Sequence, residues 1–448
     1  MYKRIAGVIA AAVAAAGLLF VVGAVPAGAG ASAGPPGNAR SAGTARHWLA
    51  RPFGMSALTY QRMMEQVPLD NAAGKIRRAA AGSAAGRDGL VQIKVEQDRH
   101  SLVVYWHGQV PAAVRRVLTE VRARIGVTVS PARYSRAELD HQARLVIAGA
   151  RHTGANMVGP RADGSGLEVG VAGKVPALTR ATASAHFGVT VPVTVVSHAR
   201  AQPAFCHPEP VRDALSSPAR CNDYAQFWGG ADLELFKLFN TQVPEGSCST
   251  GFGVYFPSGA YGIVTAGHCV KYRGVTYTDW LNGQWSAELG NSFVSPWDDS
   301  SWNPTDDAAV IYTPAGSGDQ IYNGPSMIAG DTHDTLTVSG QDASNKWDWI
   351  CEEGAFGGVL CNSQVKNTNW YLQYPDGSWV SGLVQASGGD ASHPHSGDSG
   401  GPVLSLPGDG TITAKGIVNT SAGGDGNWYY TPIDEISNDV GGLTVNTP

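Results

Sequence analysis

Between Trp228 and Asp434 the sequence carries almost no helical periodicity. Short apolar and aromatic runs are separated by Gly, Asn, Asp and Ser turns. A stretch of about 220 residues built this way buries a core only by packing sheet on sheet or by closing sheets into barrels, so the C-terminal half is predicted to be all-β. Tyr374-Pro375-Asp376-Gly377-Ser378 reads as a hairpin turn joining Trp370–Gln373 to Trp379–Val384. The 57 glycines and a charged fraction of only 15 % fit a turn-rich β protein better than a helical bundle.

The N-terminal half differs. Lys3-Arg4, the uncharged apolar run Ile5 to Val25, and Ala-x-Ala sites ending at Ala29, Ala31 or Ala33 predict an export signal over residues 1–33. The same 21-residue run is also long enough for a membrane anchor. Residues 34–50 read as a Gly/Ala/Ser/Pro linker. Beyond it, helices are expected over Ser56–Ala81, Ala112–Ile125, from Ser135 (a capping box with Glu138) and over Pro176–His186. Strands are expected at Leu90–Val95, Leu102–Trp106, Met157–Val158, Leu167–Val171 and Val189–Val196, which makes residues 34–200 a compact α/β unit. Residues 201–227 form a second linker.

Residues 1–230 hold 26 Lys and Arg against 13 Asp and Glu, whereas residues 231–448 hold 6 against 24. Opposite fields of this size suit halves that attract each other, or a basic leader and an acidic solubilising surface that arose separately. The positive charge is scattered rather than clustered, which argues against nucleic-acid binding. The six cysteines, Cys206, Cys221, Cys248, Cys269, Cys351 and Cys361, allow fifteen pairings. An exported chain without Cys-x-x-Cys or His-x-x-x-His spacing favours disulfides over a metal site.

A serine hydroxyl becomes a nucleophile only beside a base. Histidine suits that role, and a buried carboxylate fixes its tautomer. Negative charge developing on the substrate oxygen needs preorganised donors. The sequence can supply each part. Ser399 lies in Gly397-Asp398-Ser399-Gly400-Gly401-Pro402, and the N–H groups of Gly397 and Ser399 are the natural oxyanion donors. His268 lies in Thr265-Ala266-Gly267-His268-Cys269, after the apolar strand Tyr261 to Val264. Asp307, in Asp306-Asp307-Ala308-Ala309-Val310-Ile311, is the carboxylate candidate, with Asp306 expected to be its solvated neighbour.

These segments, in the order His268, Asp307, Ser399, resemble the chymotrypsin-like (trypsin-fold) serine peptidases over residues 228–448. The similarity is closest to the bacterial secreted alpha-lytic and Streptomyces griseus protease branch. The resemblance implies two six-stranded antiparallel β-barrels with the triad in the cleft, and no cofactor. It implies bonds Cys248–Cys269 and Cys351–Cys361 and leaves Cys206 to Cys221. Residues 34–200 resemble that branch's pro-regions, which implies an intramolecular chaperone and inhibitor.

The chain also departs from that pattern. No Arg-Ile-Val-Gly-Gly junction precedes the barrels, and Glu352, followed by Glu353, stands where the branch has an arginine facing the aspartate before the serine. His393, His395 or backbone N–H groups are therefore the candidates to meet Asp398. The pocket disulfide is missing, and His393 falls at the expected pocket base, opposite a wall through Val418, Asn419, Thr420 and Ser421. Preference for Lys or Arg is not expected. An apolar or uncharged side chain fits, or an acidic one met by His393 or His395 as cations, unless both are loop-surface residues. Ten of the twelve tryptophans lie at 228 or beyond; Trp347-Asp348-Trp349 and Trp370-Tyr371 could form an aromatic binding face, but core and strand packing is the expectation. Together these features predict a secreted, monomeric serine endopeptidase made as a zymogen and acting on peptides or proteins, without lasting membrane attachment. A catalytically silent scaffold of the same fold and an exported esterase with the same triad are the alternatives.

Overall fold

The computed structural model describes residues 52–448 apart from 176–177, 179, 199–201, 204–219, 221–222, 224–225, 237–245, 273–274, 277–278, 282–287, 298–304, 331, 389–392 and 423–425. The segment predicted to be an export signal, the predicted first linker, Cys206 and Cys221 thus lie outside the described residues. Among the described residues no helix is long and apolar enough to cross a membrane.

The six strands Trp349–Gly354, Gly358–Gln373, Trp379–Gly388, Asn427–Pro432, Ile412–Ala422 and Pro402–Ser405 pair antiparallel in that order, and the last pairs back onto the first. They close a barrel around Ile350, Val365, Val384, Ala386, Val403, Val418, Trp428 and Tyr430. Val384 and Ala386, like Trp428 and Tyr430, are two residues apart, the spacing that puts both on one face of a strand. The hairpin turn forms as expected: Tyr374 N–H donates to the Ser378 carbonyl at 2.8 Å, and Gly377 takes φ +93°.

The other half of the β region consists of two sheets on one core. One is ordered Gly246–Ser249, Asp232–Phe236, Asp279–Leu281, Glu288–Gly290. The second is ordered Phe293–Val294, Ala309–Tyr312, Tyr261–Thr265, Gly253–Tyr255, Thr444–Val445. Leu233, Leu235 and Leu289 from the first meet Ile263, Ala309 and Ile311 from the second. The described strands of this half do not pair into a closed ring. The disulfides Cys248–Cys269 and Cys351–Cys361 are both formed.

The N-terminal region falls into two lobes. In the first, the helices Ala57–Ala81 and Ala112–Arg122 cover a sheet of Leu90–Glu96, Ser101–Trp106 and Gly126–Pro131, with Leu69, Ile76, Val104, Val114 and Leu118 in the core. In the second, the helix Arg136–Thr153, opened by the Ser135/Glu138 capping box, packs on Ala155–Pro160, Leu167–Val171 and Val193–Ser197. This second sheet is not self-contained. Ala155–Pro160 pairs with the barrel strand Gly358–Gln373 through Val158 with Tyr371 and Met157 with Leu372. One continuous sheet therefore joins the two halves, and Trp379 and Tyr371 belong to the N-terminal lobe's core. Trp297, Trp370, Trp379 and Trp428 are buried, as expected of core tryptophans, whereas Trp228, Trp347 and Trp349 are only half-buried.

Candidate active site

His268 sits in the 3-10 turn Gly267–Cys269 that ends the strand Tyr261–Thr265, and Cys269 ties the turn to Cys248. The neighbouring strand Ala309–Tyr312 pairs with it antiparallel, Thr265 opposite Ala309. Residues just past one strand end therefore face residues just before the other. His268 Nδ1 lies 2.7 Å from Asp307 Oδ2, and the His268 backbone N–H donates to Asp307 Oδ1 at 2.8 Å. The Tyr374 hydroxyl, from the hairpin turn, also donates to Asp307 Oδ2. Burial alone would raise the Asp307 pKa, but His268 and the Tyr374 hydroxyl outweigh it and hold the carboxylate below its usual range.

Ser399 comes from the closed barrel, on the turn before Pro402–Ser405. Its carbonyl accepts from Ser249 N–H at 2.8 Å and lies 3.8 Å from Cys269 Sγ, beside His268. Its hydroxyl donates to the Asn419 carbonyl at 3.2 Å. Asn419 Nδ2 in turn donates to the Asp307 carbonyl at 2.5 Å, and the Thr431 hydroxyl to the same carbonyl at 3.1 Å. One buried network thus connects the serine and aspartate segments, and His268, Asp307 and Ser399 are all inaccessible to solvent. The turn demands glycine: Gly397 and Gly400 take φ +97° and +88°, and a Cβ on Gly400 would collide with Thr265 Oγ1 and the Ser249 carbonyl.

Asp398 is met by backbone N–H groups, one of the expected possibilities. Phe356 and Gly357 donate to Oδ1 at 3.0 and 2.8 Å, and His395 donates to Oδ2 at 2.7 Å. Burial nevertheless keeps its pKa raised. Glu352 is fully buried, neither carboxyl oxygen has a hydrogen-bond partner among the described residues, and burial, then Asp398 and Glu353, push its pKa far up.

Asp306 corrects its sequence reading. It is not solvated but 4 % exposed, and its pKa is raised to about 8 by burial and by Asp439 and Glu435 of the last helix, Ile433–Asp439. Of the pocket residues, Asn419 is buried in the network above. His393 is exposed, its Nδ1 is 3.4 Å from the Pro394 carbonyl, and its ring is 6.4 Å from that of His395. The Ser421 backbone pairs with Gln202 and Trp428, while its side chain lies outside the described residues. Cys248, His268 and Cys269 cluster as metal ligands would, but both sulfurs are in the disulfide and offer no thiolate. Tyr374 and Thr431 were not legible as site residues. Neither lies in a catalytic motif, and each meets Asp307 from more than 60 residues away in sequence.

No family model matches the chain, and no curated protein matches it. Several solved structures resemble it. One is a glutamic-acid-specific serine protease that uses a histidine triad in substrate binding, at 24 % identity and TM-score 0.36 over 49 % of this chain and 100 % of that one. Another is Thermobifida fusca protease A, at 23 % identity and TM-score 0.34 over 50 % of this chain and 99 % of that one. A third is an alpha-lytic protease homologue, at 23 % identity and TM-score 0.36 over 49 % and 99 %. The β region of this chain is a closed antiparallel barrel beside a two-sheet half, with His268 and Asp307 on the two-sheet half and Ser399 on the barrel.

Proposed function

We propose that this chain is the precursor of an exported serine endopeptidase. The observation that carries the proposal is the buried His268–Asp307 pair, doubly hydrogen-bonded, on the turn that adjoins Ser399. Ser399 Oγ attacks the scissile carbonyl while His268 takes its proton and later returns it to the leaving amine. Asp307, held by the Tyr374 hydroxyl, keeps His268 in the tautomer with Nδ1 protonated and stabilises the imidazolium. The Gly397 and Ser399 N–H groups receive the oxyanion, an acyl-enzyme forms, and water releases it.

Residues 1–33 are the export signal and 34–200 the pro-region, which acts as folding aid and inhibitor. What supports an inhibitory role for the leader is a strand of the linker that follows the pro-region, Gln202–Pro203, which pairs antiparallel with Ser421 and Thr420, next to Asn419 and so to Ser399. An extended segment added along that wall occupies the path of a peptide substrate. A wall without charged side chains at Asn419 and Thr420 favours an uncharged residue at the cleavage position; an acidic residue would need His393 or His395 as a cation.

The test uses secreted full-length protein beside a Ser399→Ala control. Wild type is expected to trim itself, to take a fluorophosphonate label on Ser399 and to cut a mixed peptide library, and the control to do none of these. Ester turnover without peptide cleavage would replace the reading by an esterase. An unlabelled wild type, after removal of the leader by another protease, would leave a binding scaffold.

A further inference from the structure

The maturation boundary can be read from one buried cation. Arg220, in the linker ahead of the β region, has no solvent exposure. Its guanidinium pairs with the Glu353 carboxylate and donates from Nη1 to the carbonyls of Gly230 at 2.8 Å and Gly354 at 3.0 Å. Nη2 reaches the Gly324 carbonyl at 3.4 Å, and the Arg220 carbonyl accepts from Asp232 N–H at 2.9 Å. Gly230 is required here, because a Cβ would overlap the Glu353 carboxylate.

The clasp sits at the root of the serine loop. Glu353 and Gly354 lead directly into the turn whose Phe356 and Gly357 N–H groups bind Asp398. Ala355 N–H, between them, donates at 2.9 Å to Ser249 Oγ, which donates at 2.8 Å to the Gly397 carbonyl. Arg220 thus anchors one end of a segment that holds both residues immediately before Ser399. Removing one partner of a buried ion pair strands the other charge in the interior. Glu353 is already raised to about 7 by burial even with Arg220 opposing that rise.

We propose that Arg220 is a positioning residue for the Gly397–Ser399 loop, and that the activating cut therefore falls upstream of it, leaving at least the 229 residues Arg220 to Pro448 on the working protease. The N-terminal extension is then part of the active-site scaffold, and cleavage near Trp228, where the all-β sequence pattern begins, would inactivate the enzyme.

The proposal rests on the serine-protease reading, and the experiment separates the two. Self-matured wild type is sequenced from its N-terminus and its sites are counted by saturating fluorophosphonate label. Arg220→Met, Arg220→Lys and Glu353→Gln are assayed per labelled site. The expected results are an N-terminus upstream of 220, kcat about 10- to 100-fold lower in Arg220→Met with KM little changed, and partial recovery in Arg220→Lys. If wild type itself takes no label, the protease reading fails. If wild type labels but its N-terminus lies beyond Arg220, or Arg220→Met has the wild-type kcat per site, this inference alone is overturned. Should Arg220→Met not accumulate, the wild-type N-terminus and Glu353→Gln decide, an unchanged kcat per site in the latter counting against the proposal.

Discussion

Replacing Asp306 by asparagine should change how stability depends on pH, in a direction that the burial of this carboxyl dictates. Its folded pKa is about 8, and its unfolded value is about 3.9. Between those values the folded state holds the proton and the unfolded state has released it. Stability from this group is therefore full at acid pH, falls as pH rises through the window, and is lost by about pH 8. At about 1.4 kcal/mol per pH unit, the change from about pH 5 to about pH 7.5 is about 3 kcal/mol. The amide of the D306N variant would be neutral throughout and could still accept from Ser381 Oγ, which lies 3.1 Å from Asp306 Oδ1. The assay is urea unfolding of full-length protein in a Ser399→Ala background, which prevents self-cleavage. Asp348, Glu352, Glu353 and Glu435 are also raised by burial and tilt the wild-type profile the same way. The diagnostic quantity is therefore the gap between the D306N and wild-type midpoints. It should be small at about pH 5 and widen toward pH 8 in favour of the variant. Parallel profiles, or a gap that closes with rising pH, would refute the placement of Asp306 as a buried neutral acid.

Three further outcomes follow from the same contacts. Tyr374→Phe removes one donor to Asp307; a hydrogen bond to a charged group is worth about 1.5–3 kcal/mol, so kcat/KM for a peptide should fall about 10-fold or more, and the melting temperature should fall by several degrees. Gly400→Ala introduces a Cβ at φ +88° against Thr265 and Ser249, and secreted yield and Ser399 labelling should both collapse. Residues 220–448 refolded alone should recover little activity, because the barrel strand Gly358–Gln373 loses its partner Ala155–Pro160; adding residues 34–200 in trans should raise the yield. High salt should weaken that rescue through partly exposed pairs such as Arg136–Glu435 at 3.4 Å.

What the sequence by itself determined was local. The turn chemistry of Tyr374 to Ser378, the capping box at Ser135, the strand before His268 and the strand after Asp307 are all written in adjacent residues, and the structure contains each of them. The two disulfides implied by the resemblance to the bacterial proteases also formed. What only the tertiary structure decided was where charge is buried and what meets it. Asp306 looks solvated from its neighbours, yet the last helix closes over it. Asp398 meets three backbone N–H groups that no motif announces. The compact unit expected over 34–200 instead continues its second sheet into the barrel. Arg220 lies in a linker by composition and meets Glu353 from 133 residues away. Periodicity and turn residues report on neighbours along the chain, whereas the desolvation of a charge depends on every segment that packs around it.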